Sequence, residues 1–200
     1  MPDWKSGDLV AKEYKLVRLL GRGGMGETWL ATRGAEPSQF VALKIASDSH
    51  PATARLLERE YNALKGLVHP HLPCVYDFGY ADDGATLPYL AMEYLKGEEL
   101  SAKALPRPQE DVCEILVQLS RALAFLHTHG IIHGDLKPQN IVITSREPLH
   151  VKLIDFGLAS TGNEGEPATL GGTVPYIAPE LLIGGRPSAA SDLYALGVIL

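Results

Sequence analysis

The run His133-Gly134-Asp135-Leu136-Lys137-Pro138-Gln139-Asn140 is followed by Asp155-Phe156-Gly157. Between them, Ile141 to Ile143 and Val151 to Ile154 read as the two arms of a hairpin. Such a hairpin brings Asn140 and Asp155 to the same end of two strands. Two hard oxygen donors at that point suit Mg²⁺, which takes one or two protein oxygens and completes its shell with phosphate and water. Asp135 then stands nearby as a base or positioning group for a hydroxyl, a role that contributes about 10²–10⁴-fold.

Two weaker signals lie upstream. Gly21-Arg22-Gly23-Gly24-Met25-Gly26 is followed by Glu27-Thr28-Trp29-Leu30, which reads as a strand and not as a helix. Strand, glycine turn, strand is a flap whose backbone N–H groups approach phosphates without interference from Cβ atoms. Taken alone, these glycines are better read as an ordinary hairpin turn. Lys44, in Val41-Ala42-Leu43-Lys44, interrupts an apolar strand, where a lysine usually snorkels to water. Glu60 lies four residues after Leu56 and four before Leu64, on or beside the apolar stripe of the next helix. A poorly solvated carboxylate needs a cation, and Lys44 can supply it while aiming its ammonium at phosphates.

The elements that must position these groups follow from periodicity. Tyr14 to Leu20, Glu27 to Thr32 and Phe40 to Ala46 read as successive antiparallel strands, the last two separated by a loop with Gly34 and Pro37. Leu57, Tyr61, Leu64 and Val68 mark a helix stopped by Pro70. Val75 to Tyr80 and Tyr89 to Tyr94 read as strands joined by a turn at Asp82-Asp83-Gly84. After Gly97 and the Pro106/Pro108 pair, a long amphipathic helix carries Val112, Ile115, Leu116, Leu119, Leu123 and Leu126, with Gly130 as its stop. Ser160 to Thr173, rich in Gly, Thr and Glu, reads as a loop, and Tyr194 to Leu200 as the start of a buried helix. A mostly β part followed by a mostly helical part predicts an α+β fold with two lobes and a ligand crevice between them.

Composition narrows the classes. The 200 residues are 46% apolar and 21% charged, ordinary for a globular protein. The formal charge of -6 argues against a broad nucleic-acid-binding face and a nucleic-acid partner. Cys74 and Cys113 show no metal-ligand spacing and read as two free, buried thiols in a reducing compartment. Met1 to Ala11 has no apolar signal-peptide core, and no apolar run in the chain reaches the ~20 residues of a membrane span. These features predict a cytoplasmic protein.

Taken together, the motifs resemble the eukaryotic-type protein kinase family, which also occurs in bacteria, from about Tyr14 to the last residue. The order is the family's: glycine loop, Val-Ala-Leu-Lys44, helix glutamate, the 133–140 run, Asp155-Phe156-Gly157 and Ala178-Pro179-Glu180. The phrase Gly-Arg-Gly-Gly-Met-Gly-Glu is most similar to bacterial Ser/Thr kinases. The resemblance implies a bilobal kinase-like fold, with an N-lobe at 14–95 of antiparallel sheet plus one helix and a mainly helical C-lobe at 96–200. It implies ATP and Mg²⁺ as cofactors and a protein Ser/Thr hydroxyl as acceptor. Gly21, Gly23 and Gly26, with Arg22 and Gly24 in the same loop, would cover the phosphates. Lys44 would hold the α- and β-phosphates and pair with Glu60. Thr28, Ala42 and Val142 belong to the implied nucleotide set, with Met92 as gatekeeper. Backbone groups of Glu93 and Leu95 would hold adenine, and Glu99 the ribose. Asp135 would be the catalytic base, with Lys137 near the γ-phosphate and Asn140 and Asp155 on the metal. Leu64, Val75, His133 and Phe156 would stack as an internal spine, and Asp192 would anchor the catalytic loop. Thr173 would help frame the acceptor site.

The sequence departs from the pattern at three points. Gly134 replaces the arginine that usually precedes the catalytic aspartate and receives an activation-loop phosphate. This non-RD character predicts activity that depends little on phosphorylation at Thr161 or Thr169. Thr28 stands where valine is usual over adenine, a near-isosteric change with a modest expected effect on ATP affinity. The sequence stops at Leu200, before the family's remaining helices and the arginine that pairs with the glutamate at 180. This predicts a fragment with a partly exposed core, and leaves room for downstream domains. Two rival readings remain: a small-molecule phosphotransferase, since His133-Gly134-Asp135 also resembles aminoglycoside and choline kinases, and a pseudokinase or binding module.

Overall fold

The computed structural model of the chain describes residues 3–34, 39–81, 87–100, 108–156, 160–161 and 174–199. The chain forms two compact units. One comprises Met1–Leu67 and Cys74–Leu95, the other Val68–Pro73 and Lys96–Leu200.

The first unit is an antiparallel sheet with one helix. Its strands are β1 (Leu9–Val10), β2 (Tyr14–Gly23), β3 (Gly26–Arg33), β4 (Phe40–Ala46), β5 (Val75–Tyr80) and β6 (Pro88–Glu93). They are ordered β1-β2-β3-β4-β6-β5. Side chains alternate between the two faces of a strand. In β4 this sends Val41, Leu43 and Ile45 to one face, where they join Tyr14, Leu16, Trp29, Ala31, Tyr89 and Ala91 in a core. Ala42, Lys44 and Ala46 take the other face. Within the first core, the Tyr14 and Tyr89 hydroxyls donate to Asp77 Oδ2 at 3.3 and 2.8 Å. Burial and the Asp77 carboxylate push both phenols well above their ordinary range.

Helix α1 (Pro51–Leu64) packs on the second face, burying Leu57 with Ala46 and Leu90, and Leu64 is buried as well. Burying each leucine contributes roughly 1.5–3 kcal/mol. His50 caps the helix, its Nδ1 accepting the Ala52 N–H at 3.2 Å, and Pro51 occupies the first turn where no donor is missed. The helix ends at Leu64, before the Val68 that the periodicity included. Val68 is 81% exposed and belongs to the other unit. Gly66, at φ +78, turns the chain away first.

The second unit is built on α2 (Gln109–Thr128), whose stripe of Ile115, Leu119, Ala122, Leu123 and Leu126 is buried. The stripe also contains Gln118, a polar side chain that periodicity alone does not single out. It is satisfied in place: Nε2 donates to Leu149 O, and Oε1 accepts the Val151 N–H, both at 2.8 Å. These bonds fix α2 against the strand β10 (Leu149–Leu153), which pairs with β9 (Ile141–Arg146). β9 in turn pairs with β7 (Glu98–Glu99). β8 (Ile131–Ile132) pairs with β11 (Ser160–Thr161), so the first two residues of the expected 160–173 loop are strand. The helices α3 (Pro179–Leu182) and α4 (Ala189–Ile199) complete the unit.

Helix α4 begins five residues before the expected Tyr194. It is not wholly buried: Leu193, Tyr194 and Val198 are exposed. Both cysteines are free, yet neither is buried as expected. Cys74 is half-buried, and Cys113 is exposed because it falls off the inward stripe of α2. No helix among the described residues is long and apolar enough to cross a membrane. Pro37, the 82–84 turn, Pro106 and Leu200 lie outside the described residues.

Candidate active site

In the first unit, strand register gathers the expected nucleotide residues on the sheet face that α1 covers. Thr28 on β3 is the direct partner of Lys44 on β4, and Gly21 on β2 is the direct partner of Thr28. Ala42 is the direct partner of Met92 on β6. Lys44 Nζ lies 2.8 Å from Glu60 Oε2, and the Glu60 side chain is only 2% exposed. The anticipated strand-to-helix pair is thus formed.

The glycines divide into two groups. A Cβ at Gly26, where φ is +145, would stand 2.0 Å from the Ile45 carbonyl oxygen, so only glycine lets β3 close on β4 there. Gly21, Gly23 and Gly24 have open space around them. Their role is therefore not packing, which fits a surface that something else approaches closely. Arg22 does not share the Thr28 face. Its Nε pairs with Glu27 Oε1 at 2.9 Å on the opposite side. The N–H of Glu93 donates to the Cys74 carbonyl at 2.8 Å, and half-buried Leu95 closes this unit.

In the second unit, the β9–β10 hairpin places the loop residues. Ile141 is the direct partner of Leu153, and the Ile154 N–H donates to the Asn140 carbonyl at 2.8 Å. Asn140 and Asp155 consequently leave one end of the same ladder. Asn140 Nδ2 donates to the Asp135 carbonyl at 2.8 Å, which leaves its Oδ1 as the atom suited to a cation. Asp135 Oδ2 accepts from Lys137 Nζ at 2.5 Å. Asp155 holds φ at +64, a left-handed conformation uncommon for a side-chain-bearing residue and one that clusters at functional sites. Glu99, exposed on β7, is the direct partner of buried Val142 on β9.

The donor set fits the implied Mg²⁺. An amide oxygen and a carboxylate are hard ligands, too few for a closed protein cage and suited to a cation shared with phosphate. No group of three or more His, Cys, Asp or Glu able to hold a metal occurs among the described residues.

A layer behind these residues holds them. Asp192 on α4, 2% exposed, accepts the His133 and Gly134 N–H groups at 3.0 Å each. His127 Nε2 lies 2.9 Å from Asp192 Oδ2. The sequence reading had Asp192 but missed His127, because only the folded chain brings position 127 to it. Gly134 adopts φ +76, a conformation glycine takes without steric cost. Of the expected spine, the His133 and Phe156 rings lie 4.8 Å apart in this unit, while in the other Val75 packs against the α1-side cluster and Leu64 is buried on α1. Gly157, Thr169 and Thr173 lie outside the described residues.

Comparison with known proteins gives these arrangements a context. The family described as "Protein kinase domain" matches residues 14–200. Serine/threonine-protein kinase pkn3 of Myxococcus xanthus is 37% identical over 97% of the chain and 38% of its own length. Serine/threonine-protein kinase PknB of Mycobacterium leprae is 36% identical over 96% of the chain and 32% of its own length. Serine/threonine-protein kinase PknA of Mycobacterium tuberculosis is 35% identical, with 96% and 47% covered. The chain thus spans between a third and a half of the length of these curated relatives. A crystal structure of a kinase domain superposes with a TM-score of 0.85 at 21% identity, covering 98% of this chain and 65% of that one. The fold is therefore the protein kinase fold.

Proposed function

Because the chain belongs to the protein kinase domain family, we propose that it transfers the γ-phosphoryl of ATP to a serine or threonine hydroxyl of a protein. The observation that carries this reading is the Asp135–Lys137–Asn140 cluster at the end of the ladder that also presents Asp155. Asp135 orients the acceptor hydroxyl and takes its proton as the new O–P bond forms and the bond to the β-phosphate bridge breaks, releasing ADP. Lys137, already on Asp135, supplies positive charge beside the transferred group. Asn140 and Asp155 would hold Mg²⁺, which supplies charge neutralisation to the phosphates when bound.

In the other unit, Lys44 holds the α- and β-phosphates, fixed by Glu60. Gly21, Gly23, Gly24 and Gly26 line the phosphates with backbone N–H groups. Arg22, whose side chain turns to the opposite sheet face, takes part through its backbone. Thr28 and Ala42 contact adenine, with Met92 behind it, and Val142 of the second unit belongs to the nucleotide set. Glu93 and Leu95 contact adenine by backbone, and Glu99 contacts the ribose. We assign the N-lobe to 14–95 and the C-lobe to 96–200, with residues 68–73 of the former stretch packed in the second unit. Gly134 leaves the catalytic loop without a phosphate-binding arginine, so activity depends little on activation-loop phosphorylation. The free thiols support a reducing, cytoplasmic setting.

The test is transfer of labelled γ-phosphate to a generic Ser/Thr protein, with Asp135→Asn as the control and an aminoglycoside and choline as rival acceptors. Labelling of the small molecules in preference to protein would select the small-molecule phosphotransferase. A thermal shift with Mg-ATP and no transfer to any acceptor would select the binding module.

A further inference from the structure

The side chains of one polar cluster of the first unit have no part in the proposed chemistry. The cluster lies on the sheet face opposite Thr28 and Lys44. Glu27 Oε1 pairs with Arg22 Nε at 2.9 Å, and Glu27 Oε2 accepts the Trp29 indole Nε1–H at 2.8 Å. Arg22 and Glu27 are direct partners across β2 and β3, one position before the Gly23–Gly26 pair that closes the hairpin. Trp29 is buried in the core with Leu43, Ile45 and Tyr89.

An ion pair between two exposed chains holds little. This one differs at its acidic end. The Glu27 side chain is 14% exposed against 68% for Arg22. Its second bond goes to a donor that core packing has already fixed. Bonds to an ionised acceptor are also the stronger kind. The hairpin tip, by contrast, is built of permissive residues: Gly21, Gly23 and Gly24 carry no side chain and touch nothing within 4 Å of a Cβ position. A hydrogen-bonded side-chain tie from this tip to the rigid sheet runs Arg22–Glu27–Trp29.

We propose that Glu27 is a positioning residue that braces the glycine hairpin from behind, through Arg22, and so sets the affinity for the nucleotide. The proposal rests on the kinase reading for its consequence and on geometry alone for the brace. A loop held in its bound attitude loses less freedom when phosphate arrives. The brace touches neither acceptor nor metal residues, so it acts on nucleotide binding and leaves the chemical step alone.

The experiment compares the full-length protein with Glu27→Ala, Glu27→Gln, Arg22→Ala and the Glu27→Ala/Arg22→Ala double variant. Hydrogen exchange of the 21–26 amides, without nucleotide, comes first. Exchange should quicken about tenfold in either alanine variant, and the double should be no faster than the singles, because both cut one tie. Glu27→Gln, which keeps an acceptor for the indole and loses the charge, should fall between parent and Glu27→Ala. Steady-state kinetics of Glu27→Ala should then show KM for ATP raised about 3–10-fold, with kcat and KM for the protein substrate unchanged. Unaltered amide exchange overturns the brace, whether or not the protein transfers phosphate. A lowered melting temperature with unaltered exchange and KM reduces Glu27 to a structural role and also overturns it. If the parent transfers no phosphate, the kinase reading fails while the exchange data still decide the brace.

Discussion

Oδ1 of Asp192 accepts the Gly134 N–H at 3.0 Å, at a position where Gly134 holds φ at +76. The same carboxylate takes the His133 N–H and lies against His127. One buried side chain on α4 thus sets the path of the backbone that enters Asp135. Removing it leaves several buried donors unpaired. Asp192→Ala should lower stability by about 3 kcal/mol, measured by chemical denaturation. Asp192→Asn, which keeps one acceptor oxygen, should lose less. Equal losses would mean that the single retained oxygen contributes nothing and that the second oxygen, or the charge, carries the whole effect.

The Lys44–Glu60 pair separates stability from function. Lys44→Met removes the cation beside a nearly buried carboxylate and should cost about 3–5 kcal/mol. The double variant Lys44→Met/Glu60→Leu removes both charges and should recover most of that stability, while Mg-ATP binding remains lost in calorimetry. Recovery of nucleotide binding in the double variant would remove Lys44 from the phosphate site.

The glycine hairpin should respond unevenly to alanine. Gly26→Ala places a Cβ against the Ile45 carbonyl and should cost about 1–3 kcal/mol or more. Gly23→Ala and Gly24→Ala meet open space and should stay within about 0.5 kcal/mol of the parent, yet weaken Mg-ATP binding. Thermal melts paired with nucleotide titration distinguish the two kinds of glycine.

Acid should weaken the second unit through its histidines. Burial, then neighbouring His71, holds His69 below its ordinary value. Burial does the same to His71, opposed by the Val151 carbonyl and by Glu114 and reinforced by His150 and Arg121. A histidine depressed in the folded state binds protons more readily when unfolded. Its contribution is full above the unfolded value of about 6.5 and is lost as pH falls through the folded value. The melting temperature should drop as pH is lowered through that window, and less steeply in His71→Gln. Parallel curves for the two proteins would exclude His71 as the group responsible.

Thr161→Ala with Thr169→Ala should leave most transfer activity in the full-length protein, since Gly134 offers no guanidinium to a loop phosphate. Collapse to background would assign phosphate sensing to another cation.

How much of this was legible beforehand depended on range. Phe40–Ala46 and Val75–Tyr80 are strands with the bounds that their apolar, β-branched runs suggest. The two-residue strands β1, β7 and β8 carry no periodicity and exist only through their partners. The pairing of Lys44 with Glu60 could be argued from one strand and the next helix. Gln118 and His127 could not be singled out, because each is defined by an atom on a segment that local pattern does not bring near it. Val68 was misplaced because its spacing fits the α1 stripe while Gly66 ends the helix before it.

The second unit takes residues 68–73 from between α1 and β5. His71 O accepts the Leu153 N–H at 2.9 Å, and Leu72 O accepts from Lys152 Nζ at 3.1 Å. A fragment cut at Lys96 would leave both donors without these acceptors. Neither half is therefore a contiguous module that can be excised, shuffled or split at the 95/96 junction. A split-protein reporter or chimera made from this chain has to carry 68–73 with its C-terminal piece, as a separate peptide or by circular permutation.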